Sequence, residues 1–143
     1  MSQFLRMISV VAILGLCAGL NGCAASDVPS CAPGLGTAST VFTLFFGKAI
    51  PGRGDLTEKE WRAFLDVTVT ANLPNGYTFF DANGAWINPA TRKTVRETTK
   101  VLVVALPDSP DSLMAVNHIR TEYQLKFNQR LVGMTVQRAC AAF

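Results

Sequence analysis

The chain has 143 residues, of which 49% are hydrophobic and 16% charged, with a formal net charge of +3. That length fits one domain, the apolar content excludes an intrinsically disordered chain, and the charge is too small for a nucleic-acid surface, which needs clustered Lys and Arg. The only histidine is His118, so no site can use two imidazoles from one chain.

Met1–Met7 carries a single charge, Arg6, and Ile8–Leu20 is an apolar run. The run is shorter than the roughly 20 residues that a membrane-spanning helix needs and fits the core of a secretory signal. It ends in Leu20-Asn21-Gly22-Cys23, which resembles the lipobox of bacterial lipoproteins. The resemblance implies that residues 1–22 are a signal peptide and that the thiol of Cys23 is lipidated. Asn21 departs from the small or β-branched residue usual at its place. The alternative is an ordinary cleavable signal ending near Ala24 or Ala25, with Cys23 discarded. Ala24 after the cysteine, rather than Asp, implies the periplasmic face of the outer membrane in hosts that sort lipoproteins by that residue. Two or more acyl chains would give a stable anchor where one binds only marginally. Residues 23–38 are small, nearly uncharged and contain Pro and Gly. They read as the lipidated cysteine and a tether, followed by a single domain over 39–143.

On the reading the lipobox resemblance implies, Cys17 leaves with the signal and Cys23 is acylated. Cys31 and Cys140 are then an even pair in an oxidising compartment, which favours a disulfide. Two free thiols are the alternative. There is no C-x-x-C redox motif.

Thr40–Phe46 (TVFTLFF) is aromatic and β-branched and reads as a first strand, ended by Gly47. Lys48–Asp55 holds Pro51, Gly52 and Gly54 and reads as a loop. Thr57 and Glu60 have the spacing of a capping box, with Leu56 and Trp61 as a hydrophobic staple. Trp61, Phe64, Leu65 and Thr68 then form one apolar stripe of a first helix, stopped by Leu73-Pro74-Asn75-Gly76. Tyr77–Ala82 reads as a second strand. Asn83-Gly84 is a strong two-residue hairpin signal, with Ala85-Trp86-Ile87 returning before Asn88-Pro89. Thr94–Leu106 is a third strand whose continuous second half, VLVVAL, suggests cover on both faces. Ser109 as N-cap and Pro110 at the first helical position open a second helix. Its expected buried stripe is Leu113, Val116, Ile119, Tyr123 and Phe127. Leu131–Ala142 reads as a fourth strand.

The order β-α-β-β-α-β is the ferredoxin-like α+β arrangement: a four-stranded antiparallel sheet with two helices on one face. Its strand order sets the last strand antiparallel to the first and brings Cys31 and Cys140 to the same end. The uncovered sheet face also carries apolar residues, Val41 and Phe45 among them. Such a face marks association or a ligand groove, and two sheets packed together would make a dimeric α+β barrel.

Several segments together resemble a known family: LFFG at 44–47, EWRAFLD at 60–66, LPNGYT at 73–78, DANGAW at 81–86, VRE at 95–97 and EYQLKFNQ at 122–129. It is a domain-of-unknown-function family of small secreted bacterial proteins, many of them lipoproteins. The resemblance spans roughly residues 40–143. The family often has Arg after the first Gly, where this chain has Lys48. The resemblance implies the domain and its compartment, and no mechanism.

Few residues suggest chemistry. Lys48 and Arg53 flank glycines before the first helix, an arrangement that can hold an anion, but Asp55, Glu58 and Glu60 bring opposing charge. Trp86, Glu97 and Lys100 could line a small-ligand pocket, or be a packed edge aromatic and two surface charges. His118 lies off the apolar stripe, with Glu122 one turn on. No nucleophile motif, phosphate loop or metal-ligand spacing is present, so no catalytic residue, metal or cofactor is assigned. The expected partners are a membrane through the lipid anchor, a second copy, and an unidentified protein or small ligand. The reading that needs fewest special groups is a binding or structural module. The alternative is an enzyme with a pocket between two sheets, using Glu97, Lys48 or His118 as acid or base.

Overall fold

The structure is a computed structural model that describes residues 30–143. The expected signal peptide with Cys17, then Cys23, and the expected tether as far as residue 29 lie outside the described residues.

Strand β1 covers Thr37–Gly47, beginning three residues before the apolar alternation. Its even positions from Thr40 to Phe46 are buried, while Phe45 on the other face is exposed. After the loop, α1 (Glu58–Phe64) starts at Thr57, whose backbone N–H donates to Glu60 Oε2 at 2.9 Å while the Glu60 N–H donates back to Thr57 Oγ1 at 3.3 Å. The expected capping box is therefore present. A π turn, Leu65–Val69, follows directly and leads into the short α2, Thr70–Asn72. The wider turn moves the inward position by one residue, so Val69 is buried and Thr68 is not. Periodicity of 3.6 had pointed to Thr68, and a π turn breaks that period.

Strand β2 (Thr78–Ile87) runs straight through Asn83-Gly84, which is not a hairpin turn. Asn83 pairs with Thr98 and Gly84 with Glu97 on β3 (Thr94–Pro107). A turn at Asn83 would leave three residues to return, whereas the long β3 offers a ladder partner to every residue of β2. The chain reverses at Asn88–Lys93 instead. Asn88 Oδ1 accepts from the N–H groups of Ala90 and Thr91, and Arg92 takes the left-handed backbone region at φ 57°.

Helix α3 (Pro110–Lys126) is capped by Ser109 and carries Pro110 in its first turn, as its sequence indicates. It buries Ser112, Val116, Ile119 and Tyr123, with Phe127 following. Leu113 does not join the expected stripe; it is 43% exposed, and Ser112 takes the inward place. Strand β4 (Gly133–Ala141) completes the order β2-β3-β1-β4, with every neighbouring pair antiparallel. This is the expected ferredoxin-like sheet.

Both helical segments pack on one face. Phe46, Trp61, Phe64, Tyr123 and Phe127 form an aromatic cluster there, with ring centroids between 4.8 and 6.4 Å for contacting pairs such as Phe46–Tyr123 and Trp61–Tyr123. The Tyr123 hydroxyl donates to the Gly47 carbonyl at 2.9 Å and ties α3 to the end of β1. Burial, then the charge of Glu60, pushes that phenol well above its ordinary pKa. Cys31 and Cys140 form a disulfide spanning 109 residues, and Cys140 sits opposite Ala38 in the β1–β4 ladder.

Candidate functional site

Ladder register decides what lies on the uncovered face. Val41, Thr43 and Phe45 of β1 stand opposite Ala105, Val103 and Val101 of β3. Phe80 of β2 stands opposite Val101 on its other side, and Trp86 opposite Val95. One row therefore reads Phe80–Val101–Phe45, ending at Gly133 on β4. A Cβ at Gly133 would come within 3.3 Å of Phe45, so the glycine makes room for that ring. Phe45 is 39% exposed and Phe80 50%, while Val101 between them is 3% exposed. Val101 is shielded although it is not part of the core under the helices. Among the described residues the helices thus cover one side of the apolar half of β3, while on the other side Val101 is flanked by the rings of Phe45 and Phe80.

The five residues that suggested a binding site do not form one group: Lys48 and Lys100 meet at Glu58, apart from Trp86 and Glu97. Trp86 and Glu97 share the open face, Glu97 lying opposite Gly84. Lys100 points the other way, in the row Asp81–Lys100–Phe46. It is 1% exposed, and its Nζ lies 2.7 Å from Asp81 Oδ1 and 2.6 Å from Glu58 Oε1. Lys48 Nζ approaches the same Glu58 oxygen at 3.8 Å. Burial works against the Lys100 charge, but the hydrogen bonds it donates to Asp81 and Glu58 outweigh it and raise its pKa. A lysine held as ammonium has no lone pair for attack, so this group ties α1 to the sheet rather than acting as a nucleophile. Arg53 donates to Glu60 Oε1 at 2.8 Å. That bond joins the two from Thr57, which come first in effect, and holds the Glu60 carboxyl at about 2. Both loop cations thus already face carboxylates of α1. His118 is exposed on α3.

Sequence reading missed Asp81 and Glu58 as partners of Lys100. The available signal was the switch at Lys100 from a polar alternating half-strand to a continuous apolar one. Around Glu97 there is an open hollow of about 340 Å³, lined by Asn83, Gly84, Ala85, Arg96, Glu97 and Thr98. These residues are three consecutive rungs of the β2–β3 ladder. Among the described residues no group of three His, Cys, Asp or Glu is arranged to hold a metal, and no helix is long and apolar enough to cross a membrane. The one buried side-chain polar atom without a partner among them is Trp61 Nε1.

The model of a family described as "Protein of unknown function (DUF3574)" matches residues 42–143. The chain belongs to the DUF3574 family. No curated protein matches this DUF3574 chain. Its fold is similar to that of a phage SAM lyase solved in complex with S-methyl-5'-thioadenosine, with a TM-score of 0.53 and 16% identity over 69% of this chain and 80% of the lyase. The same enzyme in its apo state gives a TM-score of 0.53 and 17% identity over 76% and 87%. At that identity the likeness shows the fold alone.

Proposed function

We propose that this protein is a lipid-anchored module of the bacterial envelope whose open sheet face binds a partner surface or an apolar small ligand. The observation that carries the reading is the row Phe80–Val101–Phe45, with Trp86 on the same face and, among the described residues, no helix over it. Leaving such side chains in water forgoes burial worth about 25 cal/mol per Å², and contiguous apolar surface of this kind is common at binding sites. The anchor is supported by the lipobox-like Leu20–Cys23 and the nearly uncharged tether after it. Ala24 favours the outer membrane.

Two measurements test it. Full chain expressed in a bacterial host should incorporate labelled palmitate and lose the label on Cys23→Ser; an unlabelled chain removes the anchor. Native mass spectrometry of the unreduced protein should show added mass that disappears in the Phe45→Ser, Phe80→Ser double variant. A clean spectrum for the unsubstituted protein would leave the face without a small ligand and turn the reading to a protein partner.

A second reading is enzymatic. It is favoured by the fold likeness to the phage SAM lyase and by the hollow beside Glu97, the carboxylate on the open face. It would use an adenosyl thioether or sulfonium compound and Glu97 as acid or base. Titration calorimetry with S-methyl-5'-thioadenosine tests it. Binding lost on Glu97→Gln supports it, and absence of heat sets it aside.

A further inference from the structure

Strand β2 is an edge strand left open along its length. It pairs with β3 on one side only, and among the described residues no other backbone bonds to its free side. It contains no Lys, Arg or Pro, the residues that usually guard such an edge. Its one charge, Asp81, is engaged by Lys100. The opposite edge, β4, carries Arg138 and is closed at one end by the Cys31–Cys140 disulfide.

Four large apolar side chains of β2 remain in water: Phe79 at 42%, Phe80 at 50%, Trp86 at 46% and Ile87 at 59% exposed. Phe79 and Ile87 lie on the helix side, opposite Leu102 and Thr94; Phe80 and Trp86 lie on the open side, opposite Val101 and Val95. These positions are symmetric about Asn83. If two copies of β2 run antiparallel with Asn83 facing Asn83, Phe80 meets Trp86 on one face and Phe79 meets Ile87 on the other, each pair made twice. Asp81 then faces Ala85, so no like charges oppose. Moving the centre to Ala82 or Gly84 breaks both apolar pairs, and moving it to Asp81 sets two carboxylates face to face. A one-residue slip would oppose residues of different faces.

We propose that the protein forms a symmetric dimer by antiparallel β2–β2 pairing centred on Asn83. The two sheets become one eight-stranded sheet, and the open faces of both copies become continuous. Three aromatic side chains of about 150–250 Å² and one isoleucine, each about half exposed, offer roughly 350 Å² of apolar surface per copy. The strand backbone adds to this and brings the contact toward the low end of stable interfaces, about 600 Å² per partner. The dimer is therefore concentration-dependent.

Opposed Cα atoms in an antiparallel pair lie about 4.5–5.5 Å apart, within disulfide reach. Asn83→Cys in the full chain, oxidised in membranes of a bacterial host, should give a dimer on a non-reducing gel. Ala85→Cys should not, because each Ala85 would lie about 13 Å from its symmetry mate along the strands. Equal cross-linking of the two variants, or none above the unsubstituted chain, overturns the register. As a measurement free of new cysteines, the full chain in detergent should sediment as a concentration-dependent dimer. Ile87→Lys should shift it to monomer several-fold more readily. Ile87 is on the helix side, so this variant leaves the open face intact and separates the dimer from ligand or partner binding there. A monomer at every concentration overturns the pairing. So does a dimer that Ile87→Lys leaves unchanged, which would mean that the copies meet elsewhere, such as through their open faces.

Discussion

Lys100 is an ammonium taken out of water by two carboxylates that remain in it, Glu58 at 56% and Asp81 at 68% side-chain exposure. Its partners hold the charge, and its aliphatic stem packs where an apolar residue would also fit. Lys100→Met should therefore change stability by less than about 1 kcal/mol in denaturant unfolding. Removing both carboxylates (Asp81→Ala with Glu58→Ala) strands the ammonium and should cost about 3 kcal/mol. The reverse order would mean that water reaches the ammonium. Glu60 gives a pH signature. Its carboxyl sits at about 2, below the ordinary 4.5. A lowered carboxylate stabilises the fold above its unfolded value and loses that contribution as pH falls through its folded value. Acid unfolding should thus show a loss between pH 4.5 and 2 that Glu60→Gln flattens. Thr57 and Glu60 were legible because capping is local in sequence. Asp81–Lys100 was not, because it depends on the register of two strands.

Asn83-Gly84 has the residues of a tight turn and the surroundings of a strand. Gly84 does not use the left-handed region, and a Cβ there would meet Glu97 Cγ and Thr99 Oγ1 at an ordinary 3.8 Å. Gly84→Thr should therefore stabilise the domain by about 0.5 kcal/mol, since glycine weakens a strand interior. A turn at this place would be broken by the same change, so thermal unfolding separates the two. Gly36 is the contrasting case. It takes φ +91°, and a Cβ there would overlap the Ala141 carbonyl beside the disulfide. Gly36→Ala should cost roughly 2 kcal/mol or more and loosen the β1–β4 end. At the first helix, the π turn was invisible to periodicity because 3.6-residue spacing is assumed in reading the stripe. Only packing of Val69 and Leu73 into the core shows the extra residue.

The disulfide closes nearly the whole domain. In the chain-entropy view a loop of this size contributes about 4–5 kcal/mol, so Cys31→Ser with Cys140→Ser should lower unfolding stability by about that amount. An unchanged midpoint would mean that the unfolded chain is already compact. Element types, their order and the helix caps were set by the sequence alone, because alternation and cap spacing are properties of short stretches; cysteine parity favoured the Cys31–Cys140 pairing, and the β1–β4 ladder brings the two together. The open apolar face was also legible, since six alternating elements with two helices leave one sheet side bare. Tertiary structure decided the rest. It carried β2 through Asn83-Gly84, sent Lys100 to Asp81 and Glu58, separated it from Trp86 and Glu97, and left β2 as an unguarded edge. Those outcomes follow from which strand finds which partner and in what register, a choice made by the energy of the whole ladder and not by any residue in it.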